Sequence, residues 1–173
     1  MSTPMPPRIE HVRDLLLAEL GKLLTVEEAL ARVVLPKLRQ EVQDEELKQA
    51  VSEHLEETRA HADKLREAFG ELGETPAGRD APGLDALMTE RDSEAPDVMP
   101  SLRDLYDATA AAATEHYEIA GYEAALALAK ALDETKVRRL LEANLPEETA
   151  ALKQLREHAT RLAAARAERS AVG

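Results

Sequence analysis

The chain has no cysteine and no tryptophan, and only four of its 173 residues are aromatic: Phe69, Tyr106, Tyr117 and Tyr122. Without cysteine there can be neither disulfides nor thiolate metal sites. The scarcity of aromatic and β-branched runs leaves little from which to build a sheet, so the expected class is all-α. No apolar run approaches the ~20 residues a membrane-spanning helix needs. Positive charge is also in short supply. With 22 basic against 34 acidic residues the net charge is −12, which argues against nucleic acid or an anionic membrane as a direct partner and suits cations. The first residues, MSTPMPPRIE, carry no basic flank followed by an apolar stretch, so no signal peptide is expected. The expectation is a soluble cytoplasmic protein, of a length that suits one domain with a substantial core.

What is present is leucine and alanine at helical spacing. Residues 1–7 are Pro-rich and expected to be disordered. A first helix is expected over residues 8–42, with Ile9, Leu16, Leu20, Leu23, Leu30, Ala31, Val34 and Leu38 apolar, and Pro36 as a kink. Asp44 is a suitable N-cap for a second helix reaching residue 72. Residues 73–100 then hold most of the remaining proline and glycine. They read as a long crossover with one short helix near 84–91. Ser101 is expected to cap a third helix to residue 132, and Asp133 a fourth to residue 165, with Pro146 bending it. Residues 167–173 read as a charged, frayed tail. Two helical hairpins joined by a crossover predict an antiparallel four-helix bundle of the ferritin-like type over residues 8–166.

Most of the glutamates must be solvated surface, and helical phase at 100° per residue separates the exceptions. Glu27 lies mid-stripe among Leu16, Leu20, Leu23, Val34 and Leu38. His54, Glu57 and His61 fall within an arc of ~60° that includes Leu47, Leu65 and Leu72. Glu115, Glu118 and Tyr122 share an arc with Ala108, Ala111 and Leu126. Glu148 shares one with Leu141, Leu155 and Ala159, while Glu147 lies at its edge. Depth agrees with phase: Glu27 and Glu57 stand about 15 residues either side of the first turn, and Glu118 and Glu148 about 15 either side of the second. These groups therefore form a level, buried belt across four helices.

A belt of buried carboxylates demands a cation. Two divalent ions bring four positive charges, four carboxylates cancel them, and imidazoles complete the shells. Hard carboxylate with borderline imidazole suits iron or manganese, with zinc as an opportunistic occupant. The candidate metal ligands are Glu27, His54, Glu57, His61, Glu115, Glu118 and Glu148. Tyr122, one turn from Glu118, is a neighbour able to hydrogen-bond a ligand or to serve only as a core aromatic. No residue is singled out as catalytic. His11, His116 and His158 read as surface or boundary residues.

Four segments carry a family resemblance. HLEETRAHADKL (54–65) resembles the second-helix motif of the YciE/YciF ferritin-like proteins, and EHYEIAGYEAALALA (115–129) resembles their third-helix signature. LTVEEAL (24–30) is similar to the first-helix segment, and LPEETAALKQL (145–155) more loosely to the fourth. The resemblance implies a ferritin-like bundle, often dimeric, with a di-iron-type site and a link to bacterial stress response. It places Glu27, Glu57, Glu118 and Glu148 at the carboxylate positions, and Glu115, His54 and His61 at further motif positions. Pro146 and Leu152 depart from the family pattern, and Ala151 stands where typical ferritins have a histidine.

The function expected is thus a di-metal carboxylate protein that binds Fe(II) and oxidises it with O₂ or peroxide. The rival expectation is a non-catalytic helical scaffold whose belt is neutralised internally. A third is a helical adaptor that docks a partner on Leu15–Leu17.

Overall fold

A computed structural model describes residues 8–171, with side chains described to residue 168. The segment expected to be disordered, residues 1–7, lies outside the described residues. The elements are α1 (Val12–Ala29), a π-helical turn (Leu30–Val34), α2 (Leu35–Glu41), α3 (Glu45–Glu71), α4 (Pro82–Glu94), 3₁₀ turns at Ala95–Asp97 and Pro100–Leu102, α5 (Arg103–Ala131) and α6 (Thr135–Ala171). No strand occurs among the described residues. α1 packs against α3 and α5, and α6 packs against the same two helices. The four long helices therefore close a ring, with α1 and α6 on one diagonal. This is the ferritin-like antiparallel bundle, with its crossover between α3 and α5. Among the described residues, no helix is long and apolar enough to cross a membrane.

Local chemistry sets the helix ends. Asp44 caps α3 as expected, its Oδ1 accepting from the Leu47 amide at 3.0 Å. α3 closes on Gly73 at φ +72°, with the Glu74 amide donating to Phe69 O at 2.9 Å. α5 closes the same way on Asp133 at φ +56°, the Glu134 amide donating to Ala129 O at 2.9 Å. Both are left-handed C-terminal closures, so Asp133 ends α5 rather than capping α6. Ser101 does not cap α5 either. It lies in a 3₁₀ turn, and Leu102 stands at the N-cap without a side-chain bond. Ile9 precedes α1 and is exposed. α6 runs to Ala171, beyond the end expected at residue 165.

Pro36 acts one turn earlier than a simple kink. It lacks an amide proton and its ring crowds the carbonyl of Arg32, and the widened π turn Leu30–Val34 lies directly before it. Pro146 is accommodated inside continuous α6.

The core has two parts. One packs Leu16, Leu20, Leu65, Phe69, Ala125 and Leu141; the other packs Val26, Leu47, Val51, Leu55, Ala108 and Leu155. Each fully buried leucine contributes roughly 2 kcal/mol. Between the two parts lies a buried polar layer of Glu27, His54, Thr58, His61, Glu115, Glu118, Asn144 and Glu148. The apolar layers on either side hold that polar layer in place.

The crossover is fastened at both ends. Near its start, the Arg79 amide donates to Gly21 O at 3.0 Å, and a Cβ on Gly21 would lie 2.8 Å from Ala77 O. Farther on, Arg91 binds Asp107 at 2.8 Å and Glu41 at 2.5 Å, which pins α4 to α5 and α2.

Candidate metal centre

Six side chains from four helices converge on this layer. His54, Glu115, Glu118 and Glu148 each offer a ligand atom within 4.8 Å of the others, as do Glu27, His61 and Glu148. Glu148 belongs to both groups, so the arrangement is two adjoining seats that share one carboxylate. Glu27, His61 and Glu148 are fully buried, and Glu115 and Glu118 nearly so. α1 contributes Glu27, α3 both imidazoles, α5 Glu115 and Glu118, and α6 Glu148.

The polar atoms in this space are close together yet poorly satisfied. His61 Nδ1 lies 2.6 Å from Glu148 Oε1 and 3.5 Å from Glu27 Oε1. His54 Nε2 lies 3.2 Å from Glu115 Oε1 and 3.7 Å from Glu148 Oε2. Despite these distances, Glu27 Oε2, His54 Nε2, His61 Nδ1, Glu115 Oε2 and both oxygens of Glu118 and Glu148 have no aligned hydrogen-bond partner. Buried polar atoms without partners are costly. Here they crowd into two groups whose ligand atoms lie within 4.8 Å of one another, a spacing that a cation seated among them would relieve. Carboxylate and imidazole are a donor set that suits first-row divalent metals, so the residues present fit the group that the composition and the resemblance imply.

Each imidazole turns its second nitrogen outward to a half-exposed carboxylate. His54 Nδ1 lies 3.3 Å from Glu57 Oε2, and His61 Nε2 lies 2.6 Å from Glu147 Oε2. A carboxylate only accepts, so in a ring that gives up one proton to bind a metal the outer nitrogen would keep its proton and the inner lone pair would be free. A histidine that ligates a metal commonly has such an outer carboxylate to fix its orientation.

The expectation for Glu57 needs correction here. Its side chain is 42% exposed and belongs to neither convergent group. The buried stripe of α3 also includes Val51, Leu55, Thr58, Ala62 and Phe69. These move its centre to the far side of His54, leaving Glu57 on the margin by about 90°. Glu115 takes the interior place instead. The other six candidate ligands all lie in the interior layer.

Sequence reasoning also passed over Asn144 and Glu147. Asn144 lies one turn before Glu148 on the same face and is fully buried, donating from Nδ2 to Tyr122 OH at 3.0 Å. Tyr122 in turn donates to Glu27 Oε1. The hydroxyl of Tyr122 is thus satisfied within the protein. The phase of Asn144 was a usable signal, whereas the role of Glu147 depends on the His61 rotamer and left none.

Crowding shifts the titrations. Burial raises Glu27 from 4.5 to about 7, although the His61 contact opposes it. Burial and the charges of Glu148, Glu27 and Glu115 hold Glu118 well above the ordinary carboxylate range. Burial pushes His61 down, but the carboxylates of Glu148 and Glu27 close beside it prevail and set it at about 10. His54 follows the same balance: burial lowers it, while Glu115 and Glu57 lift it well above 6.5. Without metal, then, the belt retains protons that a cation would displace.

Comparison with known proteins agrees with the fold and the segments. A search of the curated proteins finds no match. Among solved structures, YcfI of Rhodopseudomonas palustris is 33% identical, with TM-score 0.84 over 88% of this chain and 97% of that one. The Escherichia coli stress protein YciF is 27% identical, with TM-score 0.82 over 90% and 98%. A Xanthomonas campestris protein, 20% identical with TM-score 0.73 over 92% and 99%, shares the fold. The family model described as domain of unknown function DUF892 matches residues 11–168. The chain therefore belongs to the DUF892 family, that of the YciF-type ferritin-like proteins.

Proposed function

We propose that this chain is a di-metal carboxylate protein of iron type that binds Fe(II) and oxidises it with O₂ or peroxide. The observation that carries this reading is the pair of buried ligand groups sharing Glu148, with all six side chains presenting unpartnered atoms. One metal would be held by His54, Glu115, Glu118 and Glu148, the other by Glu27, His61 and Glu148. When bound, iron supplies one-electron redox chemistry toward the oxidant. The chain's own residues hold the carboxylates dry, orient both imidazoles through Glu57 and Glu147, and release the protons of Glu27 and His61 as metal enters. Likeness to a stress protein, YciF, supports placing this chemistry in a bacterial stress response.

A second reading, a non-catalytic structural bundle, draws on one observation: His61 is close enough to Glu148 and Glu27 to neutralise them as an imidazolium. Unpartnered atoms favour the first reading: proton retention by Glu27 and Glu118 can neutralise the metal-free belt, but it leaves both oxygens of Glu118 and of Glu148 without a hydrogen-bond partner, which bound cations would satisfy.

The test is elemental analysis after aerobic Fe(II) loading and desalting, with Glu148→Ala alongside. Roughly two irons per chain are expected in the wild type and none in the variant, since the shared ligand serves both seats. A folded wild type that retains no metal would sink the metal reading and leave the structural one.

A further inference from the structure

Beside the belt lies a cavity of about 190 Å³, lined by the π turn, α2, α4 and α5. Leu30, Val34, Met88, Ala110 and Ala111 make its wall mostly apolar, and Glu115 of the belt also lines it. The π turn supplies Leu30, Val33 and Val34 to this lining. An apolar cavity of about 150 Å³ can stay dry and take up benzene, so this space suits a ligand of that size or slightly larger.

The charged groups at the cavity are already matched to one another. Lys37 pairs with Asp92 at 3.2 Å, and Arg91 pairs with Asp107 at 2.8 Å. Neither of the two cations at the wall is left unpaired to hold an anionic ligand. Yet, apart from Glu115 of the metal centre, the wall includes two buried polar atoms with no partner: Thr114 Oγ1 and Asp107 Oδ2. Thr114 is 3% exposed and Asp107 2% exposed, and polar groups so deeply buried ordinarily find partners. The carboxylate oxygen calls for a donor; the threonine hydroxyl can donate or accept.

We propose that this cavity is a binding site for a small, uncharged, mainly apolar molecule with a single hydroxyl group, of the phenol type. Its ring lies among Leu30, Val34 and Met88, and its hydroxyl meets Thr114 Oγ1. Occupancy of the cavity does not depend on metal. That the ligand abuts the metal centre through Glu115 rests on the function proposed above.

The experiment is titration of chelator-treated protein with phenol, benzene and benzoate, followed by NMR chemical shifts. Phenol and benzene are expected to bind saturably, and benzoate at least tenfold more weakly for want of a cationic partner. Thr114→Val keeps the shape and removes the hydroxyl, so it should weaken phenol several-fold and leave benzene unchanged. Ala110→Phe fills the cavity and should abolish both, with helicity by circular dichroism confirming the fold. If that variant does not fold, the phenol–benzene difference in Thr114→Val decides the matter. A folded wild type that binds neither ligand overturns the proposal. So does an Ala110→Phe variant that is folded and binds like wild type, or benzoate that binds as well as phenol. Iron retention, measured on the same wild-type preparation, separates the two readings. Iron retained without phenol binding sinks this site alone, and phenol bound without iron sinks only the metal centre.

Discussion

Metal-free protein should lose stability as pH rises from 5 to 9, a direction opposite to that of a protein whose carboxylates are paired. Burial holds Glu27 at about 7 in the folded state against an ordinary 4.5. Between those values the folded chain keeps a proton that the unfolded chain releases, so stability falls with pH. A shift of that size is worth about 3 kcal/mol at 1.36 per unit. His61, at about 10 against 6.5, acts in the same direction. Its stabilising proton is fully present below 6.5 and lost as pH climbs toward 10. The two groups share protons and do not add, so about 3 kcal/mol is the size to expect across pH 5–8. For a chain of this length that is roughly 6–12 °C in Tm. Glu118, held above the carboxylate range by burial, adds to the same trend. Glu57, held down by its hydrogen bond to His54, has the opposite sign but acts below 4.5, outside the window. The assay is thermal melting by circular dichroism with chelator, repeated with metal. Because metal binds only the deprotonated ligands, its affinity grows with pH, and the gap between loaded and metal-free protein should widen toward pH 8. A metal-free Tm that stays flat or rises between pH 5 and 8 would refute the reasoning.

Glu57→Gln and Glu147→Gln should each lower metal affinity by about 10- to 100-fold without changing stoichiometry; chelator competition reads both, and unchanged affinity would remove the orienting role. Gly21→Ala drives a Cβ against the backbone oxygen of Ala77. It should cost about 1–3 kcal/mol in urea melts while leaving metal content intact. Tyr122→Phe strips the hydroxyl that joins Asn144 to Glu27 and should destabilise by about 1–3 kcal/mol.

Why the fold was legible lies in the leucine spacing. Leu16, Leu20, Leu47, Leu65 and Leu141 recur at helical period and are all fully or almost fully buried, and the proline-rich crossover could not continue a helix. The misjudged ends share one cause. Ser101 and Asp133 are good N-cap types, but the backbone around them was already committed, Ser101 to a 3₁₀ turn and Asp133 to the left-handed closure of α5. A cap preference of about 1 kcal/mol does not outweigh the geometry of a short connection.

The belt was legible through phase and depth because both are properties of a helix alone, and Glu27, Glu115, Glu118 and Glu148 lie where those two rules put them. Glu57 failed the same test because its ~60° offset from His54 is compatible with either side of the stripe margin. What places it is the whole buried stripe of α3, whose centre moves away from Glu57 once Val51, Leu55, Thr58, Ala62 and Phe69 are counted with it. The misreading has a chemical consequence. Counting Glu57 inside makes five interior carboxylates, one more than two divalent cations neutralise. Moving it outward leaves four, namely Glu27, Glu115, Glu118 and Glu148, and turns the fifth charge into a means of holding an imidazole in register. Four interior carboxylates are the number that two divalent cations of the proposed centre would neutralise.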